Sequence, residues 1–164
     1  MSEQIIYLKT TTQFPTLDAE CYILDTSLDE DFLTTFINQA LKEEKITLFY
    51  GKDEQSFAKK FGATGIIIDT SIMTTPLKDL TPIRKSLGKN SIIGLITRNR
   101  RHETMLTAEL EPDFIIFKAW LDGIENTTEL LNWYNDFFLI QSAIFPLEDI
   151  DTTNIKKDFI IKTI

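Results

Sequence analysis

What most limits the folds open to this chain is a rhythm in its middle. Between Ile46 and Phe117 four short apolar runs alternate with segments of helical character: Ile46-Thr-Leu-Phe-Tyr50, Gly65-Ile-Ile-Ile-Asp69, Ser91-Ile-Ile-Gly-Leu-Ile96 and Asp113-Phe-Ile-Ile-Phe117. Ile66-Ile-Ile68 is apolar on successive residues rather than alternate ones. Both faces of such a strand are covered, as in a parallel sheet lying under helices. Strand and helix in alternation imply parallel βαβ units with right-handed crossovers.

The flanks extend the pattern. Gln4-Ile-Ile-Tyr-Leu8 reads as strand one, and Cys21-Tyr-Ile-Leu24, ending in Asp25, as strand two. The polar break Thr10-Thr-Thr-Gln-Phe-Pro15 leaves no room for a full helix between them. Ser27-Leu-Asp-Glu30 is a capping box, and Phe32, Leu33, Phe36, Ile37, Ala40 and Leu41 recur at helical spacing, predicting a helix over about 28–44. After strand three, Asp53 is placed to cap a helix burying Phe57, Ala58 and Phe61, with Gly62 ending it. The next helix starts at Thr75-Pro76 or Thr81-Pro82, turns Leu80, Ile83 and Leu87 inward and closes at Gly88. A helix with Met105, Leu106 and Leu110 follows strand five. Asn126-Thr-Thr-Glu129 is expected to cap one with Leu130, Leu131, Trp133 and Tyr134. Phe137–Ile140 then reads as strand seven and Phe159-Ile-Ile161 as strand eight.

Eight strand candidates and about five helices suggest a (β/α)₈ barrel of the TIM type. At 164 residues the chain is well short of the ~250 typical of that fold, so the barrel is shortened, with helices reduced after strands one and seven. An open doubly wound sheet is the alternative. No Gly-rich phosphate turn follows strand one, which counts against a nucleotide-binding version.

Composition narrows the classes. The length suits one domain with a real core, and 43% apolar residues is ordinary for a globular protein. Six Gly and five Pro argue against long linkers. A net charge of −8 repels a phosphate backbone, so no nucleic-acid partner is expected. No apolar run approaches the ~20 residues of a membrane span, and no signal-peptide pattern opens the chain, so a cytoplasmic protein is expected. Cys21 is the only cysteine, which rules out an intrachain disulfide and thiolate clusters; it reads as a small buried hydrophobe.

The segment Ile46–Phe117 resembles the thiamine phosphate synthase and TenI family. Ile46-Thr-Leu-Phe-Tyr-Gly-Lys-Asp53, then Phe57-Ala-Lys-Lys-Phe-Gly-Ala-Thr-Gly-Ile-Ile-Ile68, is similar to the family's third strand, its helix and the Gly-Ala-Asp-Gly-Val-His-Leu fourth strand. Ile83-Arg-Lys-Ser-Leu-Gly88 with Ile92-Ile-Gly94 resembles the passage into strand five. His102-Glu103, Ala108 and Pro112-Asp113-Phe-Ile115 resemble the passage into strand six. The resemblance implies a barrel that handles phosphorylated molecules with Mg²⁺.

The functional positions depart from that pattern. Tyr50-Gly51-Lys52 stands where the family has Asn-Asp-Arg, and Ile68-Asp69-Thr70-Ser71 where it has His-Leu-Gly-Gln. Thr97-Arg98 replaces Ser/Thr-His, Phe117-Lys118-Ala119 replaces a Gly-Pro turn, and Ser142-Ala143 replaces the phosphate-cradling glycine pair after strand seven. A barrel of this kind has lost its catalytic signature.

What chemistry remains is charge at strand ends, the working face of a parallel barrel. Lys52 follows strand three, Arg98 with Arg100 and Arg101 follows strand five, and Lys118 follows strand six. Converging there, Lys52, Arg98, Arg100 and Lys118 can hold a phosphate or carboxylate; read plainly, they are solvated loop cations paired with Asp25, Asp69 and Asp122. Asp25 and Asp69 both follow apolar strands and offer oxygen ligands for Mg²⁺, or serve as turn and helix caps. His102, the only histidine, is placed for acid–base work or as an exposed helix-start residue. Trp120 walls a pocket, forms a contact surface or packs inward. The leading reading is a non-catalytic protein binding a small phosphorylated or anionic ligand, and the alternative an Mg²⁺-assisted enzyme of the thiamine phosphate synthase type. A third is an interaction module whose uncovered apolar surface favours a homodimer or a protein partner.

Overall fold

The computed structural model describes residues 3–10 and 17–164. Among them eight strands and five α-helices follow in the order β1 (Glu3–Leu8), β2 (Cys21–Asp25), α1 (Glu30–Lys42), β3 (Ile46–Tyr50), α2 (Glu54–Phe61), β4 (Gly65–Asp69), α3 (Thr81–Leu87), β5 (Ile92–Thr97), α4 (Arg101–Glu109), β6 (Phe114–Ala119), α5 (Ile124–Phe137), β7 (Gln141–Pro146) and β8 (Phe159–Thr163). The strands pair in sequence order and close into a parallel barrel. The shortened (β/α)₈ architecture is therefore the one formed, and the open doubly wound sheet is not. No α-helix among the described residues lies between β1 and β2 or between β7 and β8, as the sequence led one to expect. The polar break expected at 10–15 lies, apart from Thr10, outside the described residues.

Two compact units make up the fold. The first holds Gln4–Ile68, Thr81–Ile93 and Lys162–Ile164. Here alternate strand residues pack outward on helices: Tyr22 of β2 on Phe36 of α1, and Phe49 of β3 on Phe57 and Phe61 of α2. Ser27 does not cap α1. Its N–H is taken by Asp25 Oδ1 at 2.9 Å, and the cap falls two residues later, where Asp29 accepts from Phe32 N at 3.2 Å. Asp53 does precede α2, but in the left-handed conformation and without a side-chain cap bond. Gly62 closes α2 at a φ of 73°, where a side chain is disfavoured. Of the two Thr-Pro pairs, Thr81-Pro82 opens α3. Gly65 is required for space: a Cβ there would lie 1.8 Å from the Ile92 carbonyl oxygen. Burial pushes the Cys21 thiol up to about 12, although its surface is only partly covered rather than fully buried as expected.

The second unit holds Asp69–Leu80 and Gly94–Ile161, with Glu3. Its core sets Ile115, Phe117 and Ala119 of β6 and Ile144 of β7 against Leu130, Leu131 and Tyr134 of α5. The capping box expected at Asn126–Glu129 lies inside α5 instead. A 3-10 turn at Leu121–Gly123 leads straight into the helix, and the Thr127 and Thr128 hydroxyls donate to Gly123 O at 3.1 Å and Ile124 O at 2.7 Å, as residues within a helix do. The strand expected at Phe137–Ile140 is also displaced. Phe137 ends α5, Leu139 is fully exposed at the turn, and β7 runs over Gln141–Pro146. The turn is set by Tyr134, whose ring stacks on Phe138 and whose hydroxyl donates to Ile140 O at 2.8 Å. Ser142 and Ala143 consequently lie within β7 rather than after it.

Where a helix would join β7 to β8, an irregular segment takes its place. Ile155 enters the core, and Asn135 of α5 donates to Lys156 O at 3.0 Å while accepting from Ser142 Oγ at 2.9 Å. Asn132 Oδ1 accepts from Lys156 N at 3.1 Å. Side chains of α5 thus satisfy backbone groups that a helix would satisfy internally.

Candidate functional site

Side-chain alternation decides what the strand ends present. Ile115, Phe117 and Ala119 face α5, so Phe114, Ile116 and Lys118 take the opposite face of β6. Lys118 belongs to the strand itself, one residue before its end. Its ammonium pairs with Asp69 Oδ2 at the end of β4, with side-chain exposures of 16% and 6%. Asp69 Oδ1 accepts from the Ser71 N–H at 3.0 Å and from the Ser71 hydroxyl. Both oxygens of Asp69 are therefore held by groups of its own unit, and the charge of Lys118 is cancelled at contact distance.

Arg98 stands in a different setting. It is exposed just beyond β5, with Nε donating to Ser71 O at 3.3 Å and Nη2 to Met73 O at 3.2 Å. Both partners are neutral carbonyls, so the guanidinium is held in place with its full charge uncancelled by them. The loop around it is pinned: Asn99 Nδ2 donates to Lys118 O at 2.7 Å, and Asn126 Nδ2 donates to Asn99 O at 3.3 Å. Arg100 lies just before α4, exposed, with Nη1 3.9 Å from Glu103 Oε1. Arg101 sits over the Trp133 ring at 5.1 Å, a structural contact. His102 is exposed in the first turn of α4.

A groove of about 280 Å³ opens between the Thr70–Leu80 segment and α4. Met73, Leu77, Leu106 and Leu110 are among its apolar lining residues, and Arg98, His102 and Glu103 are its ionisable ones. Its origin lies in α4. That helix buries Thr104, Thr107 and Ala108, while Met105 and Leu106 are 43% and 48% exposed. The Thr97 and Thr107 hydroxyls lie 3.2 Å apart and Thr107 donates to Glu103 O at 2.8 Å, so the threonines satisfy one another and the backbone inside. The leucines are left for the groove.

Lys52 and Asp25 belong to the other unit. Lys52 is exposed in the turn after β3. Asp25 ends β2, where Oδ1 accepts from Ser27 N at 2.9 Å and Oδ2 from the Tyr7 hydroxyl. Burial alone would raise this carboxyl, but the hydrogen bonds from Ser27 and Tyr7 outweigh it and hold the value below the ordinary one. The Tyr7 hydroxyl is pushed well up, first by burial and then by Asp25. Among the described residues no three His, Cys, Asp or Glu gather as a metal-binding set. The oxygens of Asp25 and Asp69 that Mg²⁺ would need are engaged by internal donors.

Sequence reading found the charges but missed Tyr7, Ser71 and the groove. The one available signal was α4, where threonines and leucines alternate out of step with a leucine-inward helix. Trp120 is half exposed at the start of the 3-10 turn and does not line the groove.

No described helix is long and apolar enough to cross a membrane. No family model matches the chain. Over 91 residues the chain is 28% identical to a triosephosphate isomerase of Methanothermus fervidus, an alignment covering 48% of this chain and 41% of that protein. The chain thus spans less than half the length of this curated relative. The likeness accords with the closed parallel barrel, and the resemblance to the thiamine phosphate synthase group rests on the barrel rhythm alone.

Proposed function

We propose that this chain is a non-catalytic (β/α)₈ protein, akin to the thiamine phosphate synthase and TenI group, that binds a small phosphorylated or otherwise anionic ligand. Arg98 supplies the principal contact. The observation that carries the reading is its bracing by two carbonyls, which orients a fork of donors without neutralising it. Arg100 adds charge nearby, its distance of 3.9 Å from Glu103 being that of a weak surface pair. Lys118 contributes less to an anion, because Asp69 already cancels it. Lys52 lies in the other unit, and the reading does not rest on it. The absence of catalysis is argued from the strand-end carboxylates, whose oxygens are committed to Tyr7, Ser27, Ser71 and Lys118.

The second reading is an Mg²⁺-assisted enzyme acting on a phosphorylated substrate. It is favoured by the likeness to a protein named for a triose phosphate. A cytoplasmic setting suits a chain with one cysteine, and a protein partner or a second copy of the chain, rather than nucleic acid, is part of the proposal.

The test is a thermal melt with phosphate, pyrophosphate and thiamine phosphate, each with and without Mg²⁺. A ligand in ~100-fold excess over its Kd adds about 2.7 kcal/mol to the folded state. We expect a shift that Arg98→Ala abolishes. A shift retained in that variant removes Arg98 from the site. A shift seen only with Mg²⁺ favours the enzyme.

A further inference from the structure

We infer that the ligand held by Arg98 carries an apolar body as well as its anionic head, and that the groove beside α4 receives that body. The inference rests on the anion-binding reading and adds the class: a small amphipathic anion, with a phosphate or carboxylate joined directly to a short hydrocarbon or aromatic part.

Three observations meet here. The first is the inverted burial of α4. Thr104, Thr107 and Ala108 occupy its covered face, and Leu106, with Leu110, turns to the groove. Leucine left half exposed on a helix whose threonines are buried reverses the usual placement and leaves apolar surface to be covered. The second is the opposite wall. Met73 and Leu77 come from the Thr70–Leu80 segment and line the groove together with Leu106 and Leu110, so an apolar body meets side chains of both elements. The third is the position of Arg98. The carbonyl of Met73 that braces its guanidinium belongs to the residue whose side chain lines the groove, which ties the charge to the apolar walls.

The electrostatics suit an anion. Arg98 is uncancelled by its carbonyl partners, and His102 and one carboxylate, Glu103, also line the groove. Size narrows the class further. About 280 Å³ lies just under the ~300–1,000 Å³ of pockets for drug-sized ligands, so the body is a short one.

Isothermal titration with three probes separates this inference from the reading beneath it: inorganic phosphate, phenyl phosphate and phenol. Phenyl phosphate is expected to bind roughly tenfold or more tightly than phosphate, because its ring leaves water in the groove. Leu106→Gln, a change at a half-exposed position that leaves the fold intact, should remove that gain and leave phosphate affinity unchanged. Arg98→Ala should lose both anions, and phenol should bind far more weakly than phenyl phosphate. Equal affinity for phosphate and phenyl phosphate overturns the apolar body while the anion site stands. So does a phenyl gain that Leu106→Gln does not reduce. Failure of both anions to bind overturns the anion site and this inference together. Phenol binding as tightly as phenyl phosphate overturns the role of Arg98 as head-group contact.

Discussion

Tyr7 and Asp25 show at the scale of single residues how strand ends of this fold are kept in order. The Tyr7 hydroxyl donates to Asp25 Oδ2, and the Ser27 N–H closes the other oxygen. The carboxyl is held below its ordinary value because these hydrogen bonds outweigh burial, and the phenol is raised by burial and by the carboxylate. The signs follow. A lowered carboxyl contributes stability above its unfolded value near ~4, and that contribution is lost as pH falls through the folded value. A raised phenol contributes stability below its unfolded value near ~10, and that is lost as pH climbs above it. Tyr7→Phe is therefore expected to cost about 1 kcal/mol at neutral pH, to make the acid loss shallower and to remove the tyrosine's share of the alkaline loss. Urea unfolding of both proteins at acid, neutral and alkaline pH measures this. Parallel curves offset by a constant would show that the hydrogen bond does not couple to titration.

At the scale of elements, the segment between β7 and β8 is the place where the shortened barrel is most exposed to damage. It has no internal helix ladder and depends on α5 for its backbone partners. Asn135 is the central one, donating to Leu131 O at 2.8 Å and Lys156 O at 3.0 Å and accepting from Ser142 Oγ. Asn135→Ala leaves the Lys156 carbonyl and the buried Ser142 hydroxyl without this partner. A loss of about 2 kcal/mol is expected, together with faster amide exchange over 147–158. Unchanged exchange in that segment would mean that Ile155 and Asn132 are enough to dock it. The same elements show what could be read in advance. β1 to β6 and β8 were legible because their apolar runs are short and bounded by polar residues or Gly. β7 was not, because Phe137-Phe-Leu-Ile140 is more apolar than Ser142-Ala-Ile-Phe145, yet Tyr134 turns the chain through the first run and Asn135 makes Ser142 at home in the strand. The caps of α1 and α5 were misplaced for a related reason. A Ser hydroxyl or an Asn amide oxygen three residues before a Glu permits a cap, but the neighbouring turn decides whether its backbone is free to form one.

On the scale of the whole molecule, each compact unit is assembled from pieces distant in sequence. Asp69–Leu80 belongs with Gly94–Ile161, and a cut between 93 and 94 parts them. The fragment from 94 onward would hold Lys118 without Asp69 and Arg98 without the carbonyls of Ser71 and Met73. We expect one cooperative melt for the intact chain, in keeping with a single domain, and none for either fragment produced alone, as followed by circular dichroism. A cooperative melt in one fragment would assign the fold two independent domains.

The candidate site divides along the same line as the fold. The alternation of strands and helices and the presence of cations and carboxylates at strand ends were contained in local patterns: runs of apolar residues under helices, and charges that follow them. Such features depend on neighbours a few residues away, and sequence by itself determines them. Which charge stays uncancelled was decided only by tertiary structure. Lys118 meets Asp69 from 49 residues away and is neutralised, whereas Arg98 reaches carbonyls 25 and 27 residues back and keeps its charge. Coulomb attraction and hydrogen bonding act through distance in space, and no spacing in the chain encodes which of two similar cations folding brings to a carboxylate.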